Sequence, residues 1–193
     1  MDVLKNIKLV IFDFDGTLFH LDVEMEAVRR KLNVSPDANI GDIVQGYIEN
    51  NDSRLDIITD AEVKSIGERR LSDDIMKVLS YLLTQHIKIG VFTRNSRRVV
   101  ETALENSHLA GQIKIVGRED VVWQKPRPDG LLQLMEQLGT SKNETIVVGD
   151  TTHDIEAARS AGVQVIIVEN KRLAFQPDDA DYYINDINRL MAL

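Results

Sequence analysis

The chain has 193 residues, 23 basic and 31 acidic side chains and a net charge of −8, enough for one well-buried core or one core with a modest appended module. The acidic balance argues against nucleic acid or an anionic membrane as the main partner, since both select basic faces. With no cysteine, disulfides and thiolate metal sites are excluded, and oxygen ligands are expected to carry any metal site. No apolar run approaches the roughly 20 residues of a bilayer span, and the N-terminus MDVLKNIK lacks the apolar centre of a signal peptide, so a cytoplasmic protein is expected.

The first element is KLVIFDFDGTL, Lys8 to Leu18. Its apolar run, Leu9 to Phe12, predicts a buried strand that ends on Asp13 and Asp15, and Gly16 suits a tight turn. Side chains alternate along a strand, so Asp13 and Asp15 face one way while Phe12 and Phe14 anchor the other side. Two carboxylates that close repel and lose solvation, which calls for a cation, a shared proton or a full set of donors. The bare pattern fits a nucleophile or metal ligand beside a proton shuttle, and it equally fits an Asp-Gly turn with solvated acids.

After the strand the period changes. Leu21, Met25, Val28 and Leu32 fall at helical spacing, as do Ile40, Ile43, Val44, Tyr47 and Ile48, and a weaker stripe runs through Leu55, Ile58, Ala61 and Ile66. Residues 20–70 therefore read as a small helical insert. Ser72 caps the next predicted helix, with Ile75, Val78, Leu79 and Leu82 on its buried face, and Ile87 to Phe92 form a strand ending at Thr93. Asn95 or Ser96 caps a helix with Val99, Val100 and Leu104, and a weaker strand follows at Ile113 to Val116.

Lys125, Pro126, Arg127 and Pro128 make a rigid loop into a helix carrying Leu131, Leu134 and Leu138, closed by Gly139. Thr145 to Val148 is the next strand, ending in Gly149 and Asp150. A helix capped by Thr151 or Thr152 runs to Gly162, a strand follows at Val163 to Val168, and Tyr182 to Ile184 is an edge strand after a looser acidic stretch. This alternation predicts an α/β three-layer sandwich around a mostly parallel sheet, with right-handed crossovers. Ligands bind beyond the carboxyl ends of such strands, where Asp13, Asp15, Thr93 and Asp150 converge and Lys125 can join them.

The ordered set Asp13, Asp15, Gly16, Thr17; Thr93; Lys125, Pro126; Gly149, Asp150, Asp154 closely resembles the haloacid dehalogenase superfamily, in its phosphoglycolate phosphatase-like branch. The resemblance implies a Rossmann-like core at 1–19 and 71–193, with residues 20–70 as a helical cap over the active site. It implies Mg²⁺-dependent hydrolysis of a small phosphomonoester through an aspartyl phosphate. Asp13 would be the nucleophile, and Asp15 the general acid and then base; Asp15 also disfavours carbon–halogen cleavage, since halide leaves without a proton. Thr93, Lys125 and Gly16 would bind the phosphate. Asp13, the Asp15 carbonyl and Asp150 would hold the metal, with Asp154 either a direct or water-bridged partner or a charge favouring its helix N-terminus.

Family members often follow the threonine with Asn, whereas Arg94 intervenes here before Asn95, leaving Arg94 either to support the substrate or to face solvent. Arg29, Arg30, Arg54, Arg69 and Arg70 of the insert are candidates for an anionic substrate tail, while Arg118 and Arg127 read as surface or loop charges and His153 as a surface residue. Two other readings share these residue types. One is a phosphosugar mutase of the same superfamily, and the other a phosphoaccepting receiver domain, whose motif order differs because here Lys125 precedes Asp150.

Overall fold

A computed structural model of the chain describes residues 3–105, 107–170 and 179–193. Six parallel strands form one sheet: β1 (Leu9–Phe12), β2 (Lys88–Phe92), β3 (Ile113–Val116), β4 (Thr145–Gly149), β5 (Gln164–Val168) and β6 (Tyr182–Ile184), in the spatial order β3-β2-β1-β4-β5-β6. β1 lies inside the sheet, with Phe12 in register with Val91 on one side and Val148 on the other. All four of its residues are buried, as expected of a parallel strand covered on both faces.

The two faces divide by parity. Val10, Phe12 and Phe14 join one core cluster with residues of α4 (Asp73–Thr84) and α5 (Arg97–Leu104), while Leu9 and Ile11 join a second with residues of α6 (Asp129–Leu138) and α7 (Thr152–Ala161). The sheet is thus the middle of three layers. Helix ends follow the local chemistry of their sequences: the Ser72 side chain accepts from Ile75 N–H at the start of α4, and Gly139 and Gly162 close α6 and α7 in the left-handed conformation.

Between β1 and α4 lie α1 (Met25–Leu32), α2 (Ile40–Glu49) and α3 (Leu55–Ile66). Val28, Leu32, Val44, Tyr47 and Ile58 give this insert a core cluster of its own. It rests on the rest of the chain through α3 against α5, through Gln45, whose side chain donates to the Val122 carbonyl at 2.8 Å, and through Arg98 with Asp60 at 3.2 Å. No helix among the described residues is long and apolar enough to cross a membrane. Part of the stretch read from sequence as loose, between β5 and β6, lies outside the described residues.

Candidate active site

The strand order changes direction between β1 and β4, since β2 and β3 lie to one side of that pair and β5 and β6 to the other. A crevice opens at the carboxyl ends of strands at such a point. Asp13 directly follows β1, and its backbone N–H continues the ladder to the Val148 carbonyl at 2.8 Å. Asp150 directly follows β4 and Thr93 follows β2. Three side chains far apart in sequence are brought together by sheet register alone.

Lys125 ties two of the acids together. Its Nζ donates to Asp13 Oδ1 at 2.5 Å and to Asp154 Oδ1 at 2.7 Å, with all three side chains at least nine-tenths buried. The second oxygen of Asp154 accepts from Thr151 N–H at 3.0 Å and Thr151 Oγ1 at 2.7 Å, fixing the first turn of α7. Asp150 accepts from Thr17 Oγ1 at 3.3 Å and Asn170 Nδ2 at 2.5 Å. Gly16 has φ +96°, and a Cβ there would sit 2.2 Å from Asp150 Oδ2, so both the turn and the close approach require glycine.

Charge decides what this cluster can hold. Burial pushes Asp13 up to about 7, with the negative charges of Asp154 and Asp150 adding to the rise and Lys125 opposing it. Burial also raises Asp150, against the donors Asn170 and Thr17. For Asp154 burial works against the charge, but Lys125 and the Thr151 donors outweigh it and hold the carboxyl below its usual range. Lys125 is raised, because the two carboxylates outweigh its own desolvation. One oxygen from each of Asp13, Asp150 and Asp154 lies within 4.8 Å of the others. Three buried carboxylates against one ammonium leave an excess of negative charge on hard oxygen donors, the donor set that suits a divalent cation such as Mg²⁺.

Asp13 and Asp15 line one cavity of about 370 Å³ together with Thr93 and Lys125. Asp15 is held by Leu21 N–H at Oδ1, 2.8 Å away. Thr93 is buried, and its hydroxyl donates to Asn95 Oδ1 at 2.9 Å and accepts from Asn95 N–H at 3.1 Å. Asn95 in turn donates to Glu62 Oε1 of α3 at 2.9 Å, linking the insert to the loop that carries Thr93.

Several readings of single charges need correction. Arg118 is not a surface charge: it is 3% exposed, in the 3₁₀ turn Arg118–Asp120 after β3, and its Nη2 donates to Glu62 Oε2. Arg127 does face solvent. None of Arg29, Arg30, Arg54, Arg69 and Arg70 lines the cavity at Asp13. Arg54 lies over the Tyr47 ring and pairs with Asp52, and Arg69 lies over Phe19 and donates to the His20 carbonyl. Arg94 does line the cavity, as does His153, which is half-buried and lowered by burial and by the charge of Arg94.

Three site residues escape the sequence reading: Glu62, Gln124 and Asn170. Signals existed for two of them. Glu62 sits four residues from both Ile58 and Ile66, on the buried stripe of α3, and Asn170 lies just beyond the end of β5, the kind of position that singled out Asp150.

Comparison with known proteins agrees with this architecture. Residues 19–168 match the model of the haloacid dehalogenase-like hydrolases. Over 128 residues the chain is 33% identical to a protein of Caldanaerobacter subterraneus provisionally named pyrophosphatase PpaX, covering 64% of this chain and spanning 58% of that relative's length. It is 24% identical to a phosphoglycolate phosphatase of Pseudomonas putida, covering 95% of this chain and 78% of that protein. Among solved structures, a predicted phosphoglycolate phosphatase from Haemophilus somnus shares the fold at a TM-score of 0.72 and 22% identity, covering 98% of each chain. With residues 19–168, more than half of its length, matched, this chain belongs to the haloacid dehalogenase-like hydrolase family.

Proposed function

We propose that the protein is a metal-dependent phosphoric monoester hydrolase that cleaves a small phosphomonoester through a covalent phosphoryl group on Asp13, with residues 20–70 as a cap over a core of residues 1–19 and 71–193. The observation that carries this reading is the buried Asp13–Lys125–Asp154 arrangement, whose Asp13 and Lys125 line a cavity together with Asp15 and Thr93. A buried carboxylate with one charged donor, beside a second acid in the same cavity, is a nucleophile paired with a proton carrier.

In the first step an oxygen of Asp13 bonds to phosphorus and the ester P–O bond breaks, while Asp15 delivers a proton to the departing alkoxide. In the second, water attacks phosphorus, Asp15 takes its proton, and the Asp13–phosphorus bond breaks to release phosphate. Lys125 and the Thr93 hydroxyl stabilise charge on the phosphoryl oxygens in both steps. Asp13, Asp150 and the Asp15 carbonyl would hold Mg²⁺, whose chemistry when bound is to offset charge on the carboxylates and the phosphate. The insert excludes water once substrate is in place.

Phosphate release from p-nitrophenyl phosphate, with and without Mg²⁺, tests the reading. Asp13→Asn should lose about a thousandfold or more of the turnover, and chelation should abolish it. Asp15→Asn should lose roughly a hundredfold to ten-thousandfold, more on an alkyl phosphate than on the aryl ester, whose leaving group needs no proton. Turnover unchanged in Asp13→Asn would remove the nucleophile.

A further inference from the structure

Asp15 is held by a peptide group whose other end is also held. Leu21 N–H donates to Asp15 Oδ1 at 2.8 Å, and the carbonyl of the same peptide, that of His20, accepts from Arg69 Nη1 at 2.9 Å. The His20–Leu21 peptide is trans, and a trans peptide is a rigid plane whose N–H and C=O point opposite ways. Whatever fixes the carbonyl therefore fixes where the N–H points. A donor with a full positive charge also polarises the peptide, which strengthens its N–H toward the carboxylate.

Arg69 lies in the stretch that leads from α3 to α4. Its Nε donates to the Ile66 carbonyl at 3.4 Å and its Nη2 to the Ser65 carbonyl, two of the carbonyls that the end of α3 leaves without a helical partner. Capping the helix needs no more than these. The third donor instead crosses to His20, 49 residues earlier in the chain. The guanidinium carbon lies 5.0 Å from the centre of the Phe19 ring, and Phe19 stacks on Phe14, the residue between Asp13 and Asp15, with ring centres 5.6 Å apart. Only a planar fork of N–H groups can meet three carbonyls in this way; a lysine ammonium is a single point.

We propose that Arg69 is a positioning residue for Asp15: by holding the His20–Leu21 peptide it sets the direction of the Leu21 N–H and with it the rotation of the Asp15 carboxyl. The oxygen that accepts from Leu21 is the one without a proton, so the proton that Asp15 delivers to the leaving alkoxide belongs on Oδ2. Arg69 does not line the cavity at Asp13 and acts through Asp15 alone. The proposal rests on the phosphatase reading above, in which Asp15 carries that proton.

The test is the ratio of kcat/KM for benzyl phosphate, whose alkoxide needs a proton to leave, to kcat/KM for p-nitrophenyl phosphate, whose phenolate does not. Both constants report the steps up to the first phosphoryl transfer, before Asp15 acts as a base. Arg69→Met keeps a stem over Phe19 and removes every donor, and the ratio should fall about tenfold or more. Added to Asp15→Asn, the same substitution should lower the ratio no further, because the group it positions is gone. Arg69→Lys keeps the charge at the end of α3 without the fork, and its ratio should lie between those of the wild type and Arg69→Met. The α-hydroxy analogue of leucine at position 21 removes the N–H, leaves both side chains in place, and should lower the ratio as Arg69→Met does. An unchanged ratio in these variants, an equal loss on both esters, or a further fall of the ratio in Asp15→Asn overturns the positioning role and spares the phosphatase reading. A ratio that Asp15→Asn itself leaves unchanged overturns the proton-carrying role of Asp15, and with it the proposal.

Discussion

Asp13 shows how a single residue can register its surroundings. Its carboxyl is raised from 3.8 to about 7, chiefly by burial. As pH falls from about 7 toward 3.8, the folded metal-free protein takes up this proton before the unfolded chain does, so this group's contribution to stability grows across that window and is lost as pH rises through about 7. His153, lowered by burial and Arg94, works the opposite way below its ordinary value, so the comparison that isolates Asp13 is wild type against Asp13→Asn. Thermal melts in chelator should show wild type gaining on the variant as pH is lowered through the window. Mg²⁺ should flatten the difference, because cation and proton compete for the same oxygens. Parallel curves for the two proteins in chelator would contradict the placement of a buried, desolvated carboxylate at Asp13.

At the scale of elements, packing can override propensity. Gly130 lies in the first turn of α6, and a Cβ there would fall 2.3 Å from the Phe92 ring at the end of β2. Alanine is the better helix former by roughly 1 kcal/mol, but overpacking costs about 1–3 kcal/mol. Gly130→Ala should therefore lower stability in a urea titration, and a gain would show that α6 is not pressed onto β2. The elements themselves were legible because their signals are local. Val10, Phe12 and Phe14 alternate with Leu9, Ile11 and Asp13, the 3.6-residue stripe of α4 follows Ser72, and Gly139 and Gly162 mark two helix ends. Asp13, Thr93 and Asp150 could be placed in the site because each ends a strand, and in a parallel sheet the strand ends share one edge. Arg118 and Glu62 could not be placed that way. Their burial follows from a pairing 56 residues apart in sequence, and a lone arginine after a strand carries no mark of the carboxylate that will meet it.

At the scale of the whole molecule, that same pair joins the insert to the core. Glu62 comes from α3 and Arg118 from the turn after β3, both nearly buried, and Asn95 extends the link to Thr93. Burial raises the Glu62 carboxyl, against Arg118, Asn95 and the Ser96 N–H, as expected for a pair whose desolvation is only just met. Removing one partner strands the other: Glu62→Ala should cost about 3–5 kcal/mol, and Glu62→Leu with Arg118→Met should recover most of it. A chemical denaturation series measures both, and a loss below about 1 kcal/mol for Glu62→Ala would mean that the insert is not anchored here.

The central claim concerns the covalent step at Asp13. The most direct measurement is to quench the enzyme in acid during turnover of a phosphomonoester with Mg²⁺, reduce the acyl phosphate with borohydride, and map the product by peptide mass spectrometry. The account predicts conversion of Asp13 to homoserine, dependent on substrate and absent from Asp13→Asn. Turnover with no reduced residue, or with the modification on another acid of the cluster, would contradict it.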